Sequence, residues 1–235
     1  WLTNLLDPMI SNSDTGIVTG LLLDSNGNKI DSTGEQYSTW GLPFPRDRKK
    51  SRKNASESGY TFGATGGATL YRVSMLKDIG LFDETFFAYY EDVDISFRAQ
   101  LAGWKVYYTD KAIAYHKQGE TSKKIPGFTT VQTFKNLPLL FIKNIPIKLL
   151  FSIGPRFILA YTSMFCKAVI KGNGKHATIG LVKGFYFFWT KALPTRWSIQ
   201  KKATVPTSYI RSILWHDLPP NQPGLRKLRK TLTGK

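Results

Sequence analysis

The chain has 235 residues, 42% of them hydrophobic and 14% aromatic, with a formal net charge of +17 at pH 7 and a pI near 9.9. That much apolar side chain fills a core, which excludes a disordered polar tail. A single cysteine, Cys166, excludes a disulfide framework and a cysteine metal cluster.

In chain order, Ile17 to Leu23 is an apolar run suited to a strand, Asp24-Ser25-Asn26-Gly27-Asn28 has turn chemistry, and Lys29 to Gly34 reads as a hairpin. Residues 47 to 58 follow Arg46 and carry Arg48, Lys49, Lys50, Arg52 and Lys53, with no apolar anchor but Ala55. An exposed, mobile loop is expected there. Gly63 to Gly67 is a stretch of small residues that suits either a close backbone approach to a ligand or a plain turn. It is not a phosphate-loop or dinucleotide fingerprint.

After the aromatic run Phe86, Phe87, Tyr89 and Tyr90 come Glu91, Asp92 and Asp94. Val93, Phe97 and Leu101 follow at i, i+4 and i+8, so a helix is expected from Glu91 until Gly103 stops it. Free N–H groups and the positive dipole end at a helix start hold a carboxylate ionised and aimed, so Asp92 can accept a proton. The same acids also serve to charge-complement a first turn. Lys105 to Thr109 and Ala112 to Tyr115 read as two short strands around Asp110-Lys111, with His116 at the strand end, either a metal ligand or an ordinary polar terminus.

The charge is divided unevenly. Residues 1–122 carry 13 Lys and Arg against 15 Asp and Glu, while residues 123–235 carry 20 against one, Asp217. In the basic part, Pro138, Pro146 and Pro155 are expected to break residues 137–170 into short amphipathic helices. Its longest uncharged run, Phe157 to Cys166, is well short of the roughly 20 residues that span a bilayer. Such helices, with the aromatics of Gly184 to Trp189 and Trp197, suit the plane of an anionic leaflet, or else pack on the preceding domain with their charges solvated. Leu225 to Lys235 reads as a disordered basic end. Nucleic acid is disfavoured as a partner: no zinc spacing, RNP-like strand or helix-turn-helix signature accompanies the charge. The chain start shows no signal peptide, and the lone cysteine fits a reducing compartment.

Taken together, Gly63-Ala64-Thr65-Gly66-Gly67-Ala68-Thr69-Leu70-Tyr71-Arg72, Ile79-Gly80-Leu81-Phe82-Asp83-Glu84, Phe86 to Arg98, Ala99 to Trp104 and Tyr115-His116 resemble family 2 glycosyltransferases, most of all a rhamnosyltransferase-like branch. Leu81 between Gly80 and Phe82 is a minor departure. The resemblance implies an α/β fold: the C-terminal half of a GT-A domain, a mixed sheet flanked by helices, over residues 1–122, then a basic, mostly helical tail over 123–235. It implies an inverting transfer of a sugar, with rhamnose the candidate, from a nucleotide-sugar to a lipid-linked or cell-surface polysaccharide acceptor, at the cytoplasmic face of the cell membrane. Asp92 resembles the general base and Glu91 its supporting neighbour, Gly66, Gly67 and Asp94 resemble substrate-binding positions, and His116 resembles a ligand of a divalent cation, Mg2+ or Mn2+. The family's Asp-x-Asp motif is not found ahead of Gly63, and Trp1 to Met9 resembles the helix that follows it. A truncated chain is therefore expected, inactive alone and prone to associate through an uncovered sheet edge. The competing expectation is a non-catalytic membrane-associated or polyanion-binding module of the same shape.

Overall fold

A computed structural model describes residues 1–117, 119 and 122–233. The chain runs α1 (Leu2–Ser11), β1 (Thr15–Asp24), β2 (Ile30–Ser32), β3 (Glu35–Tyr37), β4 (Pro43–Pro45), β5 (Gly59–Thr61), β6 (Thr69–Tyr71), α2 (Val73–Ile79), α3 (Glu91–Leu101) and β7 (Lys105–His116). Then follow α4 (Phe128–Asn144), α5 (Ile147–Ile170), α6 (Gly174–Phe187), α7 (Leu193–Lys201), α8 (Thr207–Ile213) and α9 (Pro223–Thr233).

β1 is the axis of the sheet: β7 pairs with it in parallel, β2 and β6 antiparallel, and β5 lies antiparallel on the far side of β7. Alternation along β1 feeds both faces. Val18 meets Leu5 and Met9 of α1, whereas Ile17 meets Met75 of α2 and Ala99 of α3. The expected mixed sheet flanked by helices is the one observed.

β7 differs from the two short strands expected. It is one strand whose register jumps from Gly20↔Thr109 to Leu21↔Ile113, so Asp110 to Ala112 bulge out of the pairing. The bulge brings the Ala112 carbonyl to within 2.2 Å of where a Cβ on Gly20 would stand, so only glycine fits at that point of β1.

The prolines behave differently from expectation as well. Only Pro146 separates helices, and Pro138 and Pro155 lie inside α4 and α5. Pro138 has no N–H for the carbonyl of Phe134, but the Tyr161 hydroxyl of α5 donates to that oxygen at 2.7 Å, so tertiary contact supplies the missing bond. α6 then packs against α4 at Gly180, where a Cβ would come 2.5 Å from the Val131 carbonyl. A five-residue π segment, Phe188–Ala192, leads into α7. Pro223–Thr233 is a helix rather than part of the disordered segment expected: Asp217 pairs with Arg226 and Arg229 of α9, and Arg226 donates to the Leu218 carbonyl at 2.9 Å. Lys235 lies outside the described residues.

One apolar core unites the sheet half and the helical half, running from Tyr37, Phe62 and Phe97 to Leu137, Leu140, Ile153 and Phe157. α3 sits at its centre, and every residue from Val93 to Leu101 is buried.

Candidate active site

The approach to α3 is held in an unusual backbone. Phe87, Tyr89 and Tyr90 have φ of 60°, 69° and 73°, a region that costs non-glycine residues about 1–3 kcal/mol each. α4 holds them there: the Asn136 amide donates to the carbonyls of Phe86 (3.0 Å), Ala88 (2.8 Å) and Tyr89 (2.8 Å). The Lys135 ammonium donates to those of Thr85 (2.9 Å) and Phe86 (3.2 Å). The loop that delivers Glu91 and Asp92 is therefore fixed from the helical half of the protein.

Asp92 opens α3 with both carboxylate oxygens occupied. Oδ2 accepts from the Gly66 N–H at 2.9 Å and Oδ1 from the Val93 N–H at 2.8 Å. Ser96, one turn on, donates to the Asp92 carbonyl at 2.7 Å and accepts from the Ala64 N–H at 3.1 Å, which fastens the small-residue stretch to the first turn of the helix. Burial raises the Asp92 carboxyl above its ordinary range, and the hydrogen bonds from Gly66 and Val93 offset part of that rise. Glu91 is raised by burial and then by the charge of Asp92, and its Oε2 is buried without a hydrogen-bond partner. The Tyr71 hydroxyl, also buried, lies near enough to both acids to be raised by them after burial.

A third carboxyl joins these two. Glu35 in β3 donates its N–H to the Gly63 carbonyl (2.7 Å) and accepts from the Gly63 N–H (3.0 Å). A Cβ on Gly63 would sit 3.4 Å from the Glu35 Cβ and 3.0 Å from the Ser96 Cβ, so Glu35 stands beside the first turn of α3. Burial pushes it well up, the Asp92 charge pushes it further, and Arg48 opposes them. Arg48 reaches in from residues 46–58, bonding Asp31 Oδ1 at 2.7 Å and the Asp31 carbonyl at 3.1 Å. The other Asp31 oxygen meets His116 Nδ1 at 2.7 Å. Arg48, Asp31 and His116 thus form a bonded string, and the charge of Arg48 acts on Glu35 and Asp92.

Residues 46–58 are anchored rather than loose. Asp47, at φ 59°, accepts from Thr33 Oγ1 (2.8 Å), Lys50 Nζ (2.7 Å), Ser56 Oγ (2.5 Å) and the Ser56 N–H (3.1 Å). Burial would raise its carboxyl, but these hydrogen bonds hold it down to about 2.

Two expected site residues have surroundings different from those of Asp92. Asp94 is fully buried, with Arg98 Nε at 2.9 Å, Lys143 Nζ at 2.9 Å and Asn144 Nδ2 at 2.8 Å. It points into the α3–α4 junction, where its oxygens are taken up by these three partners. Gly67 faces Leu22 rather than Asp92. Gly66 does stand at Asp92, as its hydrogen bond shows.

No group of three or more His, Cys, Asp and Glu side chains suited to a metal ion exists among the described residues. His116 fits as a single ligand: Asp31 holds Nδ1 and leaves Nε2 available, the arrangement by which carboxylates orient metal-binding imidazoles. A cavity of about 520 Å³ lies between the Gly80–Thr85 turn, Lys143 and α7, and none of Glu35, Glu91 or Asp92 lines it.

Glu35, Arg48 and Asp31 carry no sequence signal that ties them to Asp92, because the folding of β2, β3 and the following loop brings them there. Residues 14–130 match the model of a family described as Glycosyltransferase like family 2. No curated protein matches the chain.

Proposed function

Starting from residues 14–130 as a family 2 glycosyltransferase domain, we propose that Asp92 is the base of an inverting sugar transfer from a nucleotide-sugar to an acceptor hydroxyl. The observation that carries this reading is the fixing of both Asp92 oxygens by the Gly66 and Val93 N–H groups in a half-buried position that raises its basicity. A sugar hydroxyl is a poor nucleophile until a positioned carboxylate takes its proton. As the hydroxyl oxygen bonds to the anomeric carbon, its proton passes to Asp92. The bond from that carbon to the diphosphate oxygen breaks, and the nucleoside diphosphate leaves with the electron pair. Attack opposite the leaving group needs one base, unlike the carboxylate pair of a glycosidase. Burial raises the carboxyls of Glu91 and Glu35, which favours their uncharged forms beside Asp92. A divalent cation, Mg2+ or Mn2+, when bound offsets charge on the departing diphosphate. His116, held by Asp31, is the ligand this chain would offer it.

In this reading the acceptor is a lipid-linked or cell-surface polysaccharide, and the donor sugar is rhamnose, as in the branch the sequence resembles. The helical half then lies on the cytoplasmic leaflet. Phe151, Phe185, Trp189 and Trp197 are exposed on α5 to α7 among exposed Lys148, Arg156, Lys167 and Lys183, a mixture that suits the headgroup region of an anionic bilayer. α5, 24 residues long, is long and apolar enough to cross a membrane by length and composition. Its Leu149, Ile153, Phe157 and Ala160 are buried in the shared core, however, so lying in the plane keeps that core intact.

The test is Asp92→Asn in the full-length protein: transfer falls about 10²–10⁴-fold while nucleotide-sugar binding is retained. Undiminished transfer refutes the base. For the membrane, flotation with anionic but not neutral vesicles is expected, weakening as salt rises. Equal flotation with both refutes the electrostatic part.

A further inference from the structure

Phe87 is 77% exposed and is held at φ 60°, a conformation glycine adopts without strain. An exposed ring on such a backbone adds little to the core, so its open face is left for contact from outside the fold. It has company: the Phe128 ring lies 6.3 Å from Phe87 and 6.1 Å from Tyr89, at 81° and 53°, and the Tyr89 hydroxyl is 3.0 Å from Thr129 Oγ1. Tyr90, the next residue, caps the start of α3 ahead of Glu91 and Asp92 and packs against the core. The three rings therefore continue, through Tyr90, into the carboxylate site.

We propose that Phe87, Tyr89 and Phe128 form the shelf on which the acceptor's sugar ring lies, its C–H face on the aromatic rings and a hydroxyl edge turned toward Asp92. This rests on the transferase reading and names what sets its acceptor preference. A saccharide offers an apolar ring face and hydroxyls together, which matches rings set at angles with the Tyr89 and Thr129 hydroxyls at their rim. A hydrocarbon chain would use the rings but not the remaining hydrogen-bonding capacity of those two hydroxyls, which are paired with each other at 3.0 Å.

Saturation-transfer NMR on the full chain tests the shelf without requiring turnover. The probes are methyl glycosides of rhamnose, galactose and glucose, with farnesyl phosphate as the hydrocarbon probe. The proteins are wild type, Phe87→Gly and Asp92→Asn. Glycine keeps the left-handed backbone and removes the ring, so the fold survives and a thermal melt confirms it. Saturation of glycoside ring protons is expected in wild type, retained in Asp92→Asn, and reduced about two- to twelvefold in Phe87→Gly, the loss of one aromatic contact. Glycoside saturation that is absent in wild type, or unchanged in Phe87→Gly, overturns the proposal. So does dependence on Phe87 shown by farnesyl phosphate alone. Should Asp92→Asn still transfer sugar while glycoside saturation depends on Phe87, the base assignment fails and the shelf stands.

Discussion

Replacing Asp94 by alanine removes a carboxylate that is wholly shielded from water and leaves Arg98 and Lys143, 7% and 3% exposed at their side chains, facing each other across the gap. Breaking a buried ion pair by deleting one partner costs about 3–5 kcal/mol. Arg98 retains the carbonyls of Ile79, Gly80 and Leu81, and Lys143 retains Asp83 at 2.5 Å, so the loss is expected at the lower end, about 3 kcal/mol. Burial pushes the Asp94 carboxyl up, but Lys143 and Arg98 push it down further, leaving it below the ordinary range. A depressed folded pKa gives stability that is present above the unfolded value of about 3.9 and is lost as pH falls through the folded one. Urea unfolding of wild type and Asp94→Ala should therefore show the full gap at pH 7 and a narrower gap in acid. A gap under about 1 kcal/mol at pH 7, or one that widens in acid, refutes the buried-pair reasoning. A substrate role for Asp94 would instead leave the melt unchanged and raise the acceptor KM.

Glu35 has the opposite sign: with its folded pKa raised by burial, its contribution is complete below the unfolded value and is lost as pH rises through the folded one. Glu35→Gln should gain stability over wild type as thermal melts move from pH 5 to pH 8, and a constant difference would refute the burial of that carboxyl. Tyr161→Phe should cost about 1 kcal/mol in urea unfolding, because the Phe134 carbonyl opposite Pro138 then loses its donor. No loss would mean that α4 accommodates Pro138 by other means.

The features legible in the sequence are those written in local periodicity. The apolar run at β1 and the Val93, Phe97 and Leu101 stripe gave the axis of the sheet and the central helix. The aromatic-to-acid boundary placed Asp92 at a helix mouth. Spacing alone cannot separate Asp92 from Asp94, which lie two residues and therefore about 200° apart around α3. Asp92 and Ser96 turn to the Gly63–Gly66 stretch, whereas Asp94 and Arg98 turn to α4 and the turn before α3. Residues 46–58 read as loose because sequence patterns register apolar anchors, and Asp47 anchors them with polar bonds. Pro138 and Pro155 read as helix breaks because the rule against interior proline is local, and the hydroxyl that answers Pro138 comes from another helix. Glu35 and Arg48 stayed hidden for the same reason: long-range folding of a polar hairpin sets their place.

The pH dependence of kcat/KM for transfer by the full-length protein probes the role of Asp92 most directly. An acid limb is expected, with activity falling as Asp92 takes up a proton at an apparent pKa above the ordinary aspartate value of about 3.9, because burial outweighs the Gly66 and Val93 hydrogen bonds. A profile that stays flat down through that value contradicts the account.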